Sequence, residues 1–155
     1  VIERVINSEA SMVDLGFELA AALGCQGAVF IRGQLGAGKT TLSRGILRGL
    51  GHTGAVKSPT FTLVEPYQLD AGEVFHFDLY RLADPDELEY IGVDEYFGDG
   101  RLCLIEWPEK AQGWLPQSDL EIAIDVSAET RNIVIQAKTP YGESVCKKLS
   151  MHKSE

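Results

Sequence analysis

Cysteine is scarce in this sequence. Cys25, Cys103 and Cys146 are the three present, an odd number with no C-x-x-C pair. That pattern excludes a disulfide framework or a zinc-binding module and points to a reducing compartment, the cytoplasm. No apolar run approaches the roughly 20 residues that a membrane-spanning helix needs. The opening residues, VIERVINSEA, have no basic segment followed by a long apolar one, so they are not expected to act as a signal peptide. Basic residues are also few. Fourteen Lys and Arg stand against 23 Asp and Glu, a net charge of -9, with no cluster of five or more bases. A protein that grips nucleic acid unaided usually carries a basic patch, because phosphate neutralisation supplies most of the affinity. If nucleic acid enters the biology of this chain, a partner is expected to hold it.

The sequence does contain ordinary globular material: 155 residues, 45% hydrophobic and 24% charged. That suffices for one domain, residues 1–155, with its own core. Residues 2 to 6 read as a short strand. Ser8 is a plausible N-cap for a helix on which Met12, Leu15, Leu19 and Leu23 recur at helical spacing, with Gly24 at the C-cap. "AVFI" (28–31) and "LCLIEW" (102–107) are continuous apolar runs of the kind found in buried parallel strands. Between them, "TFTLVEPYQL" (60–69) reads as an edge strand because of its proline, and "VFHFDLY" (74–80) as a further strand. Asp84-Pro85 predicts the start of a short helix that runs to about Tyr90. "LEIAIDV" (120–126) and "NIVIQA" (132–137) alternate around a turn and predict an antiparallel pair. The tail, from about 142 to 155, is expected to be a short or frayed helix. The predicted class is α/β: a P-loop NTPase fold with a mostly parallel central sheet, flanking helices and a C-terminal antiparallel strand pair.

The stretch 33–45, GQLGAGKTTLSRG, carries the chemistry. Gly33, Gly36, Gly38, Lys39 and Thr40 satisfy G-x-x-x-x-G-K-[ST], placed between an apolar strand and a helix expected from about Thr40 to Leu50. Glycines let the backbone wrap phosphate oxygens, and the helix N-terminus adds partial positive charge. Lys39 is the candidate for the β- and γ-phosphates and Thr40 for magnesium. Thr41 is either an α-phosphate contact or a plain helix residue. Ligands of open α/β sheets lie at the carboxyl ends of the strands. Glu106 and Asp78 occupy such ends. The apolar run before Glu106 makes it the candidate magnesium acid, and Asp78 a second acid that orients the metal's water or the attacking water. Arg44 and Arg48, one and two turns along the helix, are expected to point away from the loop. Ser58 and Thr60 in "VKSPTFTL" are candidate switch hydroxyls. Trp107 is either half-buried packing or a surface for nucleotide or partner. His52 and His76 stand alone and read as structural. No N-K-x-D guanine motif is present, which favours ATP over GTP, and no Arg-rich lid of a small-molecule kinase is visible.

"GQLGAGKTTLSRG", "VKSPTFTLVEPY", "HFDLYRL", "DPDELEYIG" and "IEWPE", in this order, resemble the TsaE (YjeE) family of bacterial P-loop ATPases. The similarity runs from about residue 4 to about 137. The resemblance implies a cytoplasmic ATPase needed for threonylcarbamoyladenosine in tRNA, acting on the TsaB–TsaD pair and meeting tRNA only through those partners. It implies nucleotide binding by Gly36 to Thr41, Ala37 included, magnesium held by Thr40 and Glu106, and a catalytic contribution from Lys39, Asp78 and Glu106. It points to Glu9 and Arg131 for adenine. One departure is Gln34, where family members often carry an acid. The alternatives are a small-molecule kinase and a nucleotide-gated binding module with negligible hydrolysis. Hydrolysis by the isolated chain is expected to be slow and stimulated by partners.

Overall fold

The computed structural model describes residues 1–56 and 63–153. Strands β1 (Ile2–Ile6), β2 (Gly27–Gly33), β3 (Val64–Leu69), β4 (Gly72–Asp78), β5 (Arg101–Glu106), β6 (Leu120–Ser127) and β7 (Thr130–Ala137) form one seven-stranded sheet. Its order is β1-β7-β6-β2-β5-β4-β3. The four middle strands, β6, β2, β5 and β4, are mutually parallel. Antiparallel pairing closes both sides, β6–β7–β1 at one and β3–β4 at the other. The edge position of β3 suits Pro66, which has no N–H to give to a ladder.

Helices α1 (Glu9–Leu23), α2 (Lys39–Gly49) and α4 (Pro140–Lys153) share one apolar core with the sheet, and the short helix α3 (Asp86–Tyr90) belongs to a second. The strands divide their side chains accordingly. Val29, Ile31, Val74, Leu102 and Leu104 belong to the first core, and Phe30, Phe75, Phe77, Cys103 and Ile105 to the second. This is the period-two alternation of a sheet covered on both faces. Ser8 caps α1 by accepting the Ser11 N–H at 3.0 Å, and Gly24 ends it at φ 65°. Asp84 Oδ1 accepts the Asp86 N–H at 3.0 Å, so the expected cap side chain acts from two residues before the first residue of the helix.

The tail, expected from about 142 to 155 as a short or frayed helix, forms a 14-residue helix, α4, that begins at Pro140. Its Val145 and Leu149 are buried against α1 and β7. Lys147 and Lys148 gave this segment a polar look, yet burial of one apolar stripe is enough to hold a helix of this length.

The crossing of α1 over α2 places the loop that follows β2. The helices meet at Gly16 and Gly45. A Cβ on Gly45 would lie 2.6 Å from the Val13 carbonyl oxygen and 3.0 Å from Val13 Cα. Backbone cannot yield as a flexible side-chain tip can. Gly45→Val is therefore expected to destabilise the fold by about 1–3 kcal/mol, despite valine's better helix propensity. Chemical denaturation checks this. Wild-type stability in the variant would mean that the helices separate at little cost.

Candidate functional site

Parallel pairing brings three strand ends to one edge. Ile31 of β2 and Asp78 of β4 both stand opposite Glu106 of β5. The chain leaves β2 at Gly33, turns through Gly36 (φ 78°) and Gly38 (φ 112°), and enters α2 at Lys39. At Gly38 the backbone needs glycine twice over. Its φ is left-handed, and an added Cβ would meet Met12 Cε at 3.0 Å. No side chain caps α2, and its first turn holds no acid. The free N–H groups of that turn are thus left for an outside anion.

Lys39 is 5% exposed. Its Nζ donates to the carbonyls of Gly33 at 2.5 Å and Gln34 at 2.8 Å and lies 4.4 Å from the Trp107 ring centre. Burial pushes the lysine pKa below its ordinary value, and the negative charges of Glu106, Asp78 and Glu109 partly oppose that shift. Trp107 is half-buried and holds a left-handed φ of 60°. For a bulky residue that conformation is costly, and it turns the ring toward Lys39 and Tyr80. Trp107 is half-buried packing that also lines a cavity.

Glu106 is 2% exposed and takes hydrogen bonds from three side chains. Thr40 Oγ1 lies 3.1 Å from Oε1 and 3.3 Å from Oε2. Ser43 Oγ and His76 Nε2 reach Oε2 at 3.3 and 2.5 Å. Neither Ser43 nor His76 was expected here; His76, read from the sequence as structural, lies against the carboxylate. Both were reachable in principle. Ser43 is three residues from Thr40 on one helix face, and His76 shares a strand face with Asp78.

Two cavities of about 290 Å³ flank the loop and share Gly36, Gly38 and Thr41 among their lining residues. One is walled by Lys39, Thr40, Asp78, Tyr80, Glu106 and Trp107. The other is walled by Asn7, Ser8, Glu9, Met12, Glu129 and Arg131. Glu9 and Arg131 are thus brought together beside the loop, with Ala37 between them and the first cavity. Arg131 Nε also donates to the Ala37 carbonyl at 3.0 Å, bracing the loop from β7. Arg44, expected to point away from the loop, is not among the residues lining either cavity; its Nη2 pairs with Glu9 Oε1 at 2.6 Å. Asn7 and Glu129 had no sequence signal. Ser58 and Thr60 lie outside the described residues.

A magnesium site is implied by the sequence pattern, and the donor chemistry fits one. Thr40 and Glu106 present hard oxygen donors side by side. Among the described residues no group of three His, Cys, Asp or Glu side chains converges as a self-contained metal cage. Magnesium characteristically takes one or two protein oxygens and completes its shell with phosphate and water.

Comparison with known proteins places the chain in a family. Residues 6–133 match the family described as TsaE, threonylcarbamoyl adenosine biosynthesis protein. The chain is 54% identical over 117 residues to the tRNA threonylcarbamoyladenosine biosynthesis protein TsaE of Haemophilus influenzae, covering 76% of this chain and 74% of that one. It is 40% identical over 151 residues to the protein of the same name from Bacillus subtilis, covering 96% and 93%. The crystal structure of Bacillus subtilis YdiB superposes with a TM-score of 0.84 at 30% identity, over 98% of this chain and 95% of that one.

Proposed function

The chain belongs to the TsaE family of tRNA threonylcarbamoyladenosine biosynthesis proteins, and from that premise we propose that it is an ATP-hydrolysing subunit of the modification machinery, built on a P-loop NTPase fold. The observation that carries the reading is the junction of Thr40 with Glu106 beside Lys39, at the one sheet edge where an uncapped helix N-terminus also opens. A hydroxyl, a buried acid, a lysine and free N–H groups converging on one cavity form a set suited to a magnesium-bound triphosphate.

Each group has a role in this reading. The α2 N-terminus and Lys39 hold the β- and γ-phosphates. Thr40 and Glu106 hold magnesium, which neutralises charge on the phosphate oxygens when bound. Asp78 orients the attacking water. The water's oxygen bonds to the γ-phosphorus as the bond from that phosphorus to the β,γ-bridging oxygen breaks; the electron pair of that bond leaves on ADP, and the water's proton passes to the released inorganic phosphate. Thr41 lies between the two cavities, where the α-phosphate would pass. The cavity of Glu9, Glu129 and Arg131 takes the adenosine end, Glu9 and Glu129 supplying acceptors for the exocyclic amine.

Among the described residues no arginine lines the Asp78–Glu106 cavity. Many P-loop enzymes complete the transition state with an arginine worth about 10³–10⁵ in rate. A partner is therefore the expected source of acceleration, and we assign that role to the TsaB–TsaD pair, which acts in the cytoplasm and holds the tRNA. The net charge of -9 agrees with a subunit that does not grip tRNA itself.

Phosphate release from ATP, measured with the chain alone and then with TsaB and TsaD added, tests the reading. A slow basal rate and a clear increase with the pair are expected. Trp107→Ala should lose that increase to a greater degree than it loses ATP affinity, because Trp107 stands at the cavity mouth beside Tyr80. Unassisted turnover at tens per second, a typical enzyme rate, left unchanged by the pair would defeat the accessory role. A kinase or a free-standing ATPase would then fit better.

A further inference from the structure

We infer that His76 is a positioning residue that sets the orientation of the Glu106 carboxylate; this rests on the reading of Glu106 as the magnesium acid. His76 is fully buried, on β4 two residues before Asp78. It stands opposite Leu104 on β5, diagonally next to Glu106. Its Nε2 lies 2.5 Å from Glu106 Oε2, while its buried Nδ1 has no hydrogen-bond partner among the described residues. Facing a carboxylate, Nε2 is the ring nitrogen placed to donate. An imidazole in this place is a poor choice for packing alone. Phe or Leu would fill the space without burying an unpaired nitrogen. Among the described residues the ring's one polar contact is with Glu106.

The geometry of that contact is one-sided. His76 and Ser43 both engage Oε2, and Thr40 Oγ1 is closer to Oε1. A glutamate at a strand end has free side-chain torsions with which to swing. The short His76 bond, made from the strand on one side, and the Ser43 bond, made from α2, hold Oε2 inward. Oε1 is then turned toward Thr40, the other candidate magnesium donor. Partners that orient a metal's ligands in this way typically contribute 10–100-fold in metal affinity or activity. The role needs an N–H at the position of Nε2, which gives the inference a specific chemical test. Glutamine places its amide nitrogen near the histidine Nε2 position, whereas asparagine places its own near Nδ1.

The test measures affinity for a non-hydrolysable ATP analogue by calorimetry, in chelator and across a magnesium series, with melting curves for every variant. For His76→Leu and His76→Asn, the magnesium concentration at half-effect should rise about 10- to 100-fold, and affinity in chelator should stay at the wild-type level. His76→Gln should restore the wild-type magnesium dependence. If His76→Leu fails to fold, the contrast between Gln and Asn decides. Equal magnesium dependence in those two variants, or a wild-type half-point in His76→Leu, would overturn the inference. So would an equal loss of affinity with and without magnesium, which would mark His76 as packing only. A wild-type chain whose analogue binding ignores magnesium would instead sink the parent reading of Glu106, and this inference with it.

Discussion

Lys39→Ala should lose nucleotide affinity by about tenfold to a hundredfold or more, the size of a charge-assisted contact worth about 1.5–3 kcal/mol. Turnover should fall further, because the ammonium faces charge that is transferred in the reaction. The fold should persist. Lys39 touches loop carbonyls and the Trp107 face rather than the apolar core. Burial lowers its pKa, so the charged form is disfavoured in the folded state. Holding that charge at neutral pH costs stability, and the cost is relieved as pH rises from the lowered folded-state pKa to the ordinary lysine value of the unfolded chain. Removing the side chain therefore removes two hydrogen bonds and a desolvated charge together, opposed effects that leave the melting temperature close to wild type. ATP binding and thermal melting measured on the same preparation check both halves. Wild-type binding with wild-type turnover would remove the phosphate site from this loop.

The two acids should separate in the kinetics. Glu106→Gln keeps the shape of the side chain and an acceptor for His76, but it loses the negative charge between Thr40 and His76. Magnesium-dependent binding and turnover should fall together, turnover by roughly a hundredfold or more, since a metal ligand acts in both ground and transition states. Glu106→Ala is a harsher variant. It strands the donors of Thr40, Ser43 and His76 in a buried space, and its melting temperature should fall visibly. Asp78→Asn should behave differently. Asp78 is half-buried at the cavity wall, and its Oδ1 accepts the Tyr80 N–H at 3.1 Å. Binding should be largely retained while turnover falls about 10²–10⁴-fold, the range for a group that orients or deprotonates the nucleophile. A magnesium titration of binding and of phosphate release for each variant distinguishes the two. The reverse pattern would exchange the roles of Asp78 and Glu106.

The loop and the ends of the strands were legible in the sequence because local rules govern them. Glycine at positions 36 and 38 is needed where φ is positive, Ser8 and Gly24 mark helix ends by their own backbone chemistry, and a continuous apolar run before Glu106 announces a buried strand. The late antiparallel pair, β6 and β7, was legible for the same reason, through alternation around a short turn. Family likeness added Glu9 and Arg131, which no periodicity distinguishes. Only the tertiary structure decided which distant groups meet. That β5 lies between β2 and β4 puts Glu106 beside both Asp78 and the loop. The same order carries His76 onto a carboxylate 30 residues away. The packing of α1 on α2 sets Met12 against Gly38, and β7 delivers Arg131 to the Ala37 carbonyl. The physical reason is one of range. Helical and strand periods report which face of an element is apolar. Strand order, register and helix crossing depend on how all those faces are buried at once, and a lone polar residue such as His76 takes its meaning from the neighbour which that burial supplies.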